Sequence, residues 1–300
     1  MERKYKKQKN VIQLKETMNF YSSKKKQVKQ KRKYSGMGWR VIVALFLVSF
    51  GSFLGMIYYY DFDLKLLATL EFYENLANPS IRIVKIQEGL RKEEIADIVA
   101  KKLNWSEKIK EEFINVHLAL NSNNLEGKYF PKTYMIPKDE DPIGVTAAML
   151  REFSKETAAV KKPKSAQVIS QDTALKIASI IQREAGGKSD MKLISGIIWN
   201  RLFNGMKLQI DATLQYAKGS EEDGWWQKVV PNDKNIDSFY NTYLYTGLPP
   251  SPIANPGIAA IDAAYNPQKT SCIFYLHDKK GKIHCTKTYE EHKRNIERYY

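Results

Sequence analysis

Residues 41–60, "VIVALFLVSFGSFLGMIYYY", constrain the chain more than any other stretch, because no charged side chain interrupts them. A helix needs about 20 such residues to cross the hydrocarbon core of a bilayer. A cleaved signal peptide has a shorter apolar run and a small-residue cleavage site. Here the run ends on Tyr58, Tyr59 and Tyr60, which suit a membrane interface. The expectation is a single uncleaved transmembrane helix over 41–60. Residues 1–40 hold 14 of the 48 Lys and Arg residues and only two acids, so this tail carries +12 of the formal +15. Lys and Arg flanking a span stay on the cytoplasmic side. The sequence therefore predicts a cell-membrane protein with a basic cytoplasmic tail (1–40) and residues 61–300 outside. The tail serves as a topology signal, or attracts anionic lipid or a cytoplasmic partner. Nucleic-acid binding loses its basis, because the basicity is confined to that tail.

Beyond the span the pattern predicts an α+β protein. A stalk (61–80) closes on Asn78 and Pro79. Alternating Ile81, Ile83 and Ile86 predict a strand over 81–90, and Ile95, Ile98 and Val99 a helix over 91–103. A helix over 105–120, capped by Ser106, and a strand over 128–137 complete a small βααβ unit, assigned as a subdomain over 81–143. A helix over 143–157 and a basic, Pro-containing stretch at 161–165 connect it (144–164) to a second domain, 165–300. That domain shows helices over 172–185 and 190–203, mixed loops and strands, a hairpin over 272–285 and a terminal helix from about 288.

The hairpin carries Cys272 and Cys285, in a compartment where a disulfide is permitted. A turn centred on Lys279 and Lys280 sets Cys285 opposite Phe274 and makes the thiols diagonal, whereas a bulge would change that register. The pairing stays open. His277 and His284 share the stretch, but strand alternation sends His284 and Cys285 to opposite faces, so no metal site is expected.

One residue breaks the apolar pattern. In "IASIIQREAGG", Ala174, Ile177, Ala178 and Ile181 form one helical stripe, and Glu184 falls on it three residues after Ile181. Desolvation and the negative end of the helix dipole both favour the protonated form. A carboxylic acid protonated near neutral pH suits proton donation to a glycosidic oxygen. The competing reading has Glu184 pair with a nearby cation and merely finish the helix. Gly186 and Gly187 let backbone or substrate approach the carboxyl. Asn200, Arg201, Gln209, Asp211 and Thr213 follow with hydrogen-bonding groups suited to sugar. Aromatic faces come from "GWW" (224–226) and "FYNTYLYTGLPPSPIANPG" (239–257), with Trp225 and Trp226 open to either a sugar-stacking or a core role.

The ordered segments "LEGKYFPKTYMIP" (125–137), "IASIIQREAG" (177–186), "WNRLFNGMKLQIDATLQYA" (199–217), "YNTYLYTGLPPSPIANPG" (240–257) and "KTYEEHKRNI" (287–296) resemble the endolytic murein transglycosylases, the MltG or YceG-like family. The resemblance covers about 81–300. It implies that Glu184 is catalytic, and that Asn200, Arg201, Gln209, Asp211, Thr213, Asn241, Tyr243 and Asn255 bind substrate. It also implies a LysM-like membrane-proximal unit over 81–137. Three positions depart from the family's pattern. Gln182 replaces a second acid, Ala212 the proline of an Asp-Pro-Thr, and Ser251 the glycine after the Pro-Pro pair. The implied reaction cuts the MurNAc–GlcNAc β-1,4 bond of nascent peptidoglycan without water and closes a 1,6-anhydro ring, with one carboxyl as acid and then base. It needs no metal or cofactor, and its implied partners are glycan strands and cell-wall synthesis proteins. Two alternatives are a hydrolytic muramidase using Asp211 with Glu184, and a non-catalytic wall-binding scaffold. Protein hydrolysis lacks support, for there is neither a Gly-x-Ser-x-Gly elbow nor a His-Glu-x-x-His helix.

Overall fold

The computed structural model describes residues 43–49, 78–166 and 168–299. Of the expected span only 43–49 is described, as helix; the rest of it, the basic tail and the stalk through residue 77 lie outside the described residues. No described helix is long and apolar enough to cross a membrane. The chain divides into a unit over 1–71 and a second compact unit over 72–300, to which everything below belongs.

That unit opens with β1 (Ile81–Lys85), α1 (Lys92–Leu103), α2 (Glu107–Ile114), a single turn α3 (Val116–Ala119) and β2 (Thr133–Pro137). β1 and β2 pair antiparallel, Ile81 opposite Pro137 and Lys85 opposite Thr133. Local chemistry sets the helix starts. Ser106 Oγ accepts from Ile109 N–H at 3.4 Å ahead of α2, and the Glu94 carboxylate reaches back to Arg91 N–H at 3.0 Å ahead of α1. Of the three alternating isoleucines only Ile86 is buried; Ile83 is 37% exposed and Val84 takes the inward place. The second strand is also shorter than predicted, since 128–132 is turn and loop.

The long helix α4 (Pro142–Ala158) starts where Asp141 accepts from Gly144 N–H at 2.7 Å with Pro142 in the first turn. It closes a hydrophobic cluster of Val84, Ile95, Val99, Phe113, Tyr129 and Met149. A second cluster is built by α5 (Gln171–Glu184), α6 (Met191–Phe203) and α8 (Ile258–Tyr265), with Ile177, Ile180, Ile181, Ile194 and Ile261 inside it. Each such isoleucine contributes about 1.5–3 kcal/mol by leaving water. Sequence periodicity missed α8 and α7 (Asp211–Lys218). "IAAIDAAY" is apolar apart from Asp262, so it carries little helical contrast, and α7 is only eight residues long. The hairpin β3 (Phe274–His277) and β4 (Ile283–Thr286) and the terminal helix α9 (Tyr289–Tyr299) finish the unit.

Asn255 welds the two clusters. Its backbone exchanges hydrogen bonds with Gly89 and Leu90 at 2.8 Å, its side-chain Oδ1 accepts from Tyr129 N–H at 2.9 Å, and its side-chain amide Nδ2 donates to Glu126 Oε1 at 2.6 Å. Gly127 lets the strands of this joint close, since a Cβ there would stand 2.8 Å from the ring of Pro252. Glu126 is wholly buried, also accepting from Lys92 N–H and the Tyr216 hydroxyl. Burial, aided by the charge of Glu93, pushes its carboxyl up to about 7, against the Lys92 N–H and Arg91. A raised carboxyl favours the native state below the unfolded value of 4.5 and loses that contribution as pH rises through about 7. The amount is roughly 3 kcal/mol. Glu126→Gln is therefore expected to remove most of the fall in thermal stability across that window. Melting curves of both proteins from pH 4.5 to 7.5 check this, and equal pH dependence would count against it.

Candidate active site

α5 begins where Ser170 Oγ accepts from Thr173 N–H at 3.0 Å, and it buries Ile177 and Ile181 completely. Glu184, its last residue, continues that stripe and is half-buried. Ala185 then turns extended (φ −72°, ψ 132°), so the glycines do not form a left-handed cap. Gly186 serves another purpose, since a Cβ on it would lie 3.3 Å from the carbonyl oxygen of Gly281 in the hairpin turn. Its bareness lets the hairpin close over the end of α5.

The Glu184 carboxyl thereby meets two elements, β3 and α7. Tyr275 on β3 donates its hydroxyl to Oε2 at 2.6 Å. The Ala212 N–H at the start of α7 lies near enough to favour the charged carboxylate. Asp211, the first residue of α7, accepts the Tyr243 hydroxyl at 2.6 Å. Around them lies a cavity of about 470 Å³, lined also by Arg201, Gln209, Lys234 and His277. Burial raises the Glu184 carboxyl above the ordinary carboxylate range, with the negative charge of Asp211 adding to it. The Tyr275 hydroxyl, the Ala212 N–H and His277 oppose the rise. Burial pushes the Tyr275 phenol well up, helped by Glu184, and lowers the Arg201 guanidinium.

Arg201, Gln209, Asp211 and Tyr243, all read from sequence, line this cavity with Glu184. Gln209 does so from the left-handed region, at φ 53°. Four others do not line it. The Asn200 amide donates to the carbonyls of Thr270 and Cys272 at 2.9 and 3.0 Å, and Asn200 borders a separate hollow of about 570 Å³ with Trp199 and Phe203. Thr213 bonds Thr242 Oγ1 and the Ile210 carbonyl. Asn241 donates to the carbonyls of Lys234 and Ile236, and Asn255 is the weld described above. Trp225 and Trp226 are half-buried and occupied: Arg91 stacks on Trp225 at 4.4 Å and Arg183 on Trp226 at 3.6 Å.

Tyr275, Lys234, His277 and His292 escaped the sequence reading as cavity residues. The signal for Tyr275 lay in strand alternation, which puts it on the same side as His277. The hairpin register also differs from expectation. Tyr275, not Phe274, stands opposite Cys285, because the turn from Asp278 to Lys282 holds an extra residue with Gly281 at φ 78°. Cys272 and Cys285 are disulfide-bonded, with Cα atoms 5.8 Å apart. His277 pairs with Asp190 at 3.2 Å and His284 with Asp278 at 2.8 Å, and among the described residues no three His, Cys, Asp or Glu side chains gather as a metal site.

The sequence profile of the YceG-like family matches residues 59–298. The chain belongs to that family. It is 36% identical over 176 residues to the endolytic murein transglycosylase of Bacillus subtilis strain 168, covering 58% of this chain and 48% of that one. It is 32% identical over 174 residues to the protein of the same name from Streptococcus pneumoniae serotype 2 strain D39, covering 57% of this chain and 32% of that one. The matched region thus spans about half or less of these relatives' length. A crystal structure of a yceG-like protein from Listeria monocytogenes is similar with a TM-score of 0.63 at 29% identity, over 73% of this chain and 76% of that one.

The disulfide closes a loop with a sequence separation of 13 residues around the strand that carries Tyr275. Loop-closure entropy gives such a link up to about 3 kcal/mol. The Cys272→Ser, Cys285→Ser double variant is expected to unfold at lower denaturant by that order, and an unchanged midpoint would show that the hairpin is held without it.

Proposed function

We propose that this protein is a membrane-anchored endolytic lytic transglycosylase acting on the glycan strands of peptidoglycan. The single observation that carries the reading is the Glu184 carboxyl, half-buried at the wall of a polar cavity and held above the ordinary carboxylate range. Glu184 donates its proton to O4 of GlcNAc as the bond from that oxygen to C1 of MurNAc breaks. The sugar develops oxocarbenium character, and the new carboxylate removes the proton from the C6 hydroxyl of the same MurNAc. O6 bonds to C1, a 1,6-anhydro ring closes, and Glu184 ends protonated. No water enters the balance. A raised carboxyl suits both steps, because the rise makes proton donation available at higher pH and makes the carboxylate a stronger base.

Gln209, Asp211, Tyr243 and Arg201 are the polar groups available to sugar hydroxyls. Asn200, Thr213, Asn241 and Asn255 support binding indirectly, by fixing the segments around the cavity. The uncharged run at 41–60 and the basic tail support anchoring with the tail inside and residues 61–300 outside. Tethering concentrates the site near strands emerging at the membrane, and cell-wall synthesis proteins are the partners this location suggests. The β1–α1–α2–β2 order supports a LysM-like reading of 81–143, preceding the connection at 144–164 and the catalytic domain at 165–300.

Hydrolysis is the competing outcome, since Asp211 lines the same cavity. An ordinary glycosidase needs a second carboxylate as nucleophile or base. Digestion of purified peptidoglycan followed by mass spectrometry separates the two. Anhydro-ended fragments, one water lighter than reducing ends, are expected, together with a loss of at least about 10³-fold in Glu184→Gln. Reducing ends would establish a muramidase, an undiminished Glu184→Gln would remove Glu184 as the acid, and no cutting by the wild-type protein would leave a wall-binding scaffold.

A further inference from the structure

We infer that Tyr275 is a positioning residue for Glu184: its hydroxyl occupies carboxylate oxygen Oε2 and leaves Oε1 to carry the transferable proton. The inference rests on the proposed role of Glu184 and adds to it a fixed choice between two oxygens.

The geometry is specific. The contact is 2.6 Å, a short distance typical of a hydroxyl donating to a carboxyl group. Tyr275 cannot exchange roles with Glu184, because burial and the neighbouring carboxylate hold the phenol in its protonated form. It therefore acts as a permanent donor. Such a bond is stronger to the ionised carboxylate than to the acid, so it strengthens as Glu184 gives up its proton and weakens as the proton returns.

The strand is held to keep the hydroxyl there. Arg201 Nε donates to the Ile273 carbonyl at 2.6 Å, and the Asn200 amide grips the Thr270 and Cys272 carbonyls. Cys272 is cross-linked to Cys285, the residue directly opposite Tyr275 across the hairpin. Helix α6 and the disulfide thus fix Cys272 and Ile273, three and two residues before Tyr275. Two polar residues that the sequence suggested as sugar ligands hold the hairpin that aims the acid.

Other ionisable groups surround Glu184. Asp211 approaches from α7 and Arg201 from α6, Tyr243 and Lys234 from the connecting loop, and His277, backed by Asp190, from β3; His292 of α9 lines the same cavity. A pH profile alone could report any of them, so the test combines two readouts.

In full-length Tyr275→Phe, kcat on purified peptidoglycan is expected to fall about 10- to 100-fold with KM within about twofold, as when one preorganised donor is removed. The alkaline limb of its kcat profile is expected to move to higher pH, because the lost bond favoured the ionised carboxyl. An unmoved limb, or a loss in KM alone, would overturn the inference. The second readout needs no activity: 3-fluorotyrosine at position 275 should give a ¹⁹F resonance that titrates with Glu184 and stops titrating in Glu184→Gln. A resonance that titrates identically in both proteins would refute the contact. An active Glu184→Gln protein, in contrast, would defeat the reading of Glu184 itself, whatever Tyr275 does.

Discussion

The site depends on one carboxyl kept partly out of water at the end of a buried helix. α5 must bury Ile177 and Ile181 to exist, and that same stripe carries Glu184 to the wall of the cavity. Water is then replaced by a small set of fixed groups, the Tyr275 hydroxyl and the Ala212 N–H, which lower the cost of charge without cancelling it. The balance between desolvation and these donors decides whether the group is an acid or a carboxylate at working pH.

Several polar side chains around the site bond to backbone. Asn200 and Arg201 clamp the segment entering β3, Asn241 fixes the loop that presents Tyr243, and the Thr213–Thr242 pair ties α7 to that loop. Irregular segments need such partners, because a buried N–H or C=O without one costs about 1–3 kcal/mol. Rigid loops in turn let Asp211, Gln209 and Tyr243 face the cavity from defined positions. Asn255 extends the same logic to the joint with the β1–β2 module, where a buried amide and a buried acid satisfy each other.

The amphipathic helices were legible in the sequence, because α1, α2, α4 and α5 set apolar and polar faces apart at helical spacing, and some carry recognisable caps such as Ser106. Glu184 was legible for the same reason, as the one acid on an apolar stripe. Elements without contrast were not. α8 carries Asp262 as its one charged residue and so little contrast, and "IRIVKI" has one more apolar residue than strict alternation allows. The hairpin was visible but its register was not, since a single residue in the turn around Gly281 decides what lies opposite Cys285. Asn200, Thr213, Asn241 and Asn255 show a further limit: residue type distinguishes a hydrogen-bonding group from an apolar one, but not a sugar ligand from a loop clamp. The partnership of Glu184 with Tyr275, 91 residues away, is a product of tertiary folding that no local pattern encodes.

The central claim is thermodynamic, so the most direct measurement is the ionisation of Glu184 in the wild-type protein. Carboxyl ¹³C NMR of glutamate-labelled protein, with the Glu184 signal assigned by its absence in Glu184→Gln, reads it without any substrate. A midpoint clearly above the ordinary glutamate value of about 4.3 is the result predicted for an acid that survives toward neutral pH. A midpoint at or below that value would mean that the carboxylate is already charged in the resting protein, and the proton-donor mechanism would fail.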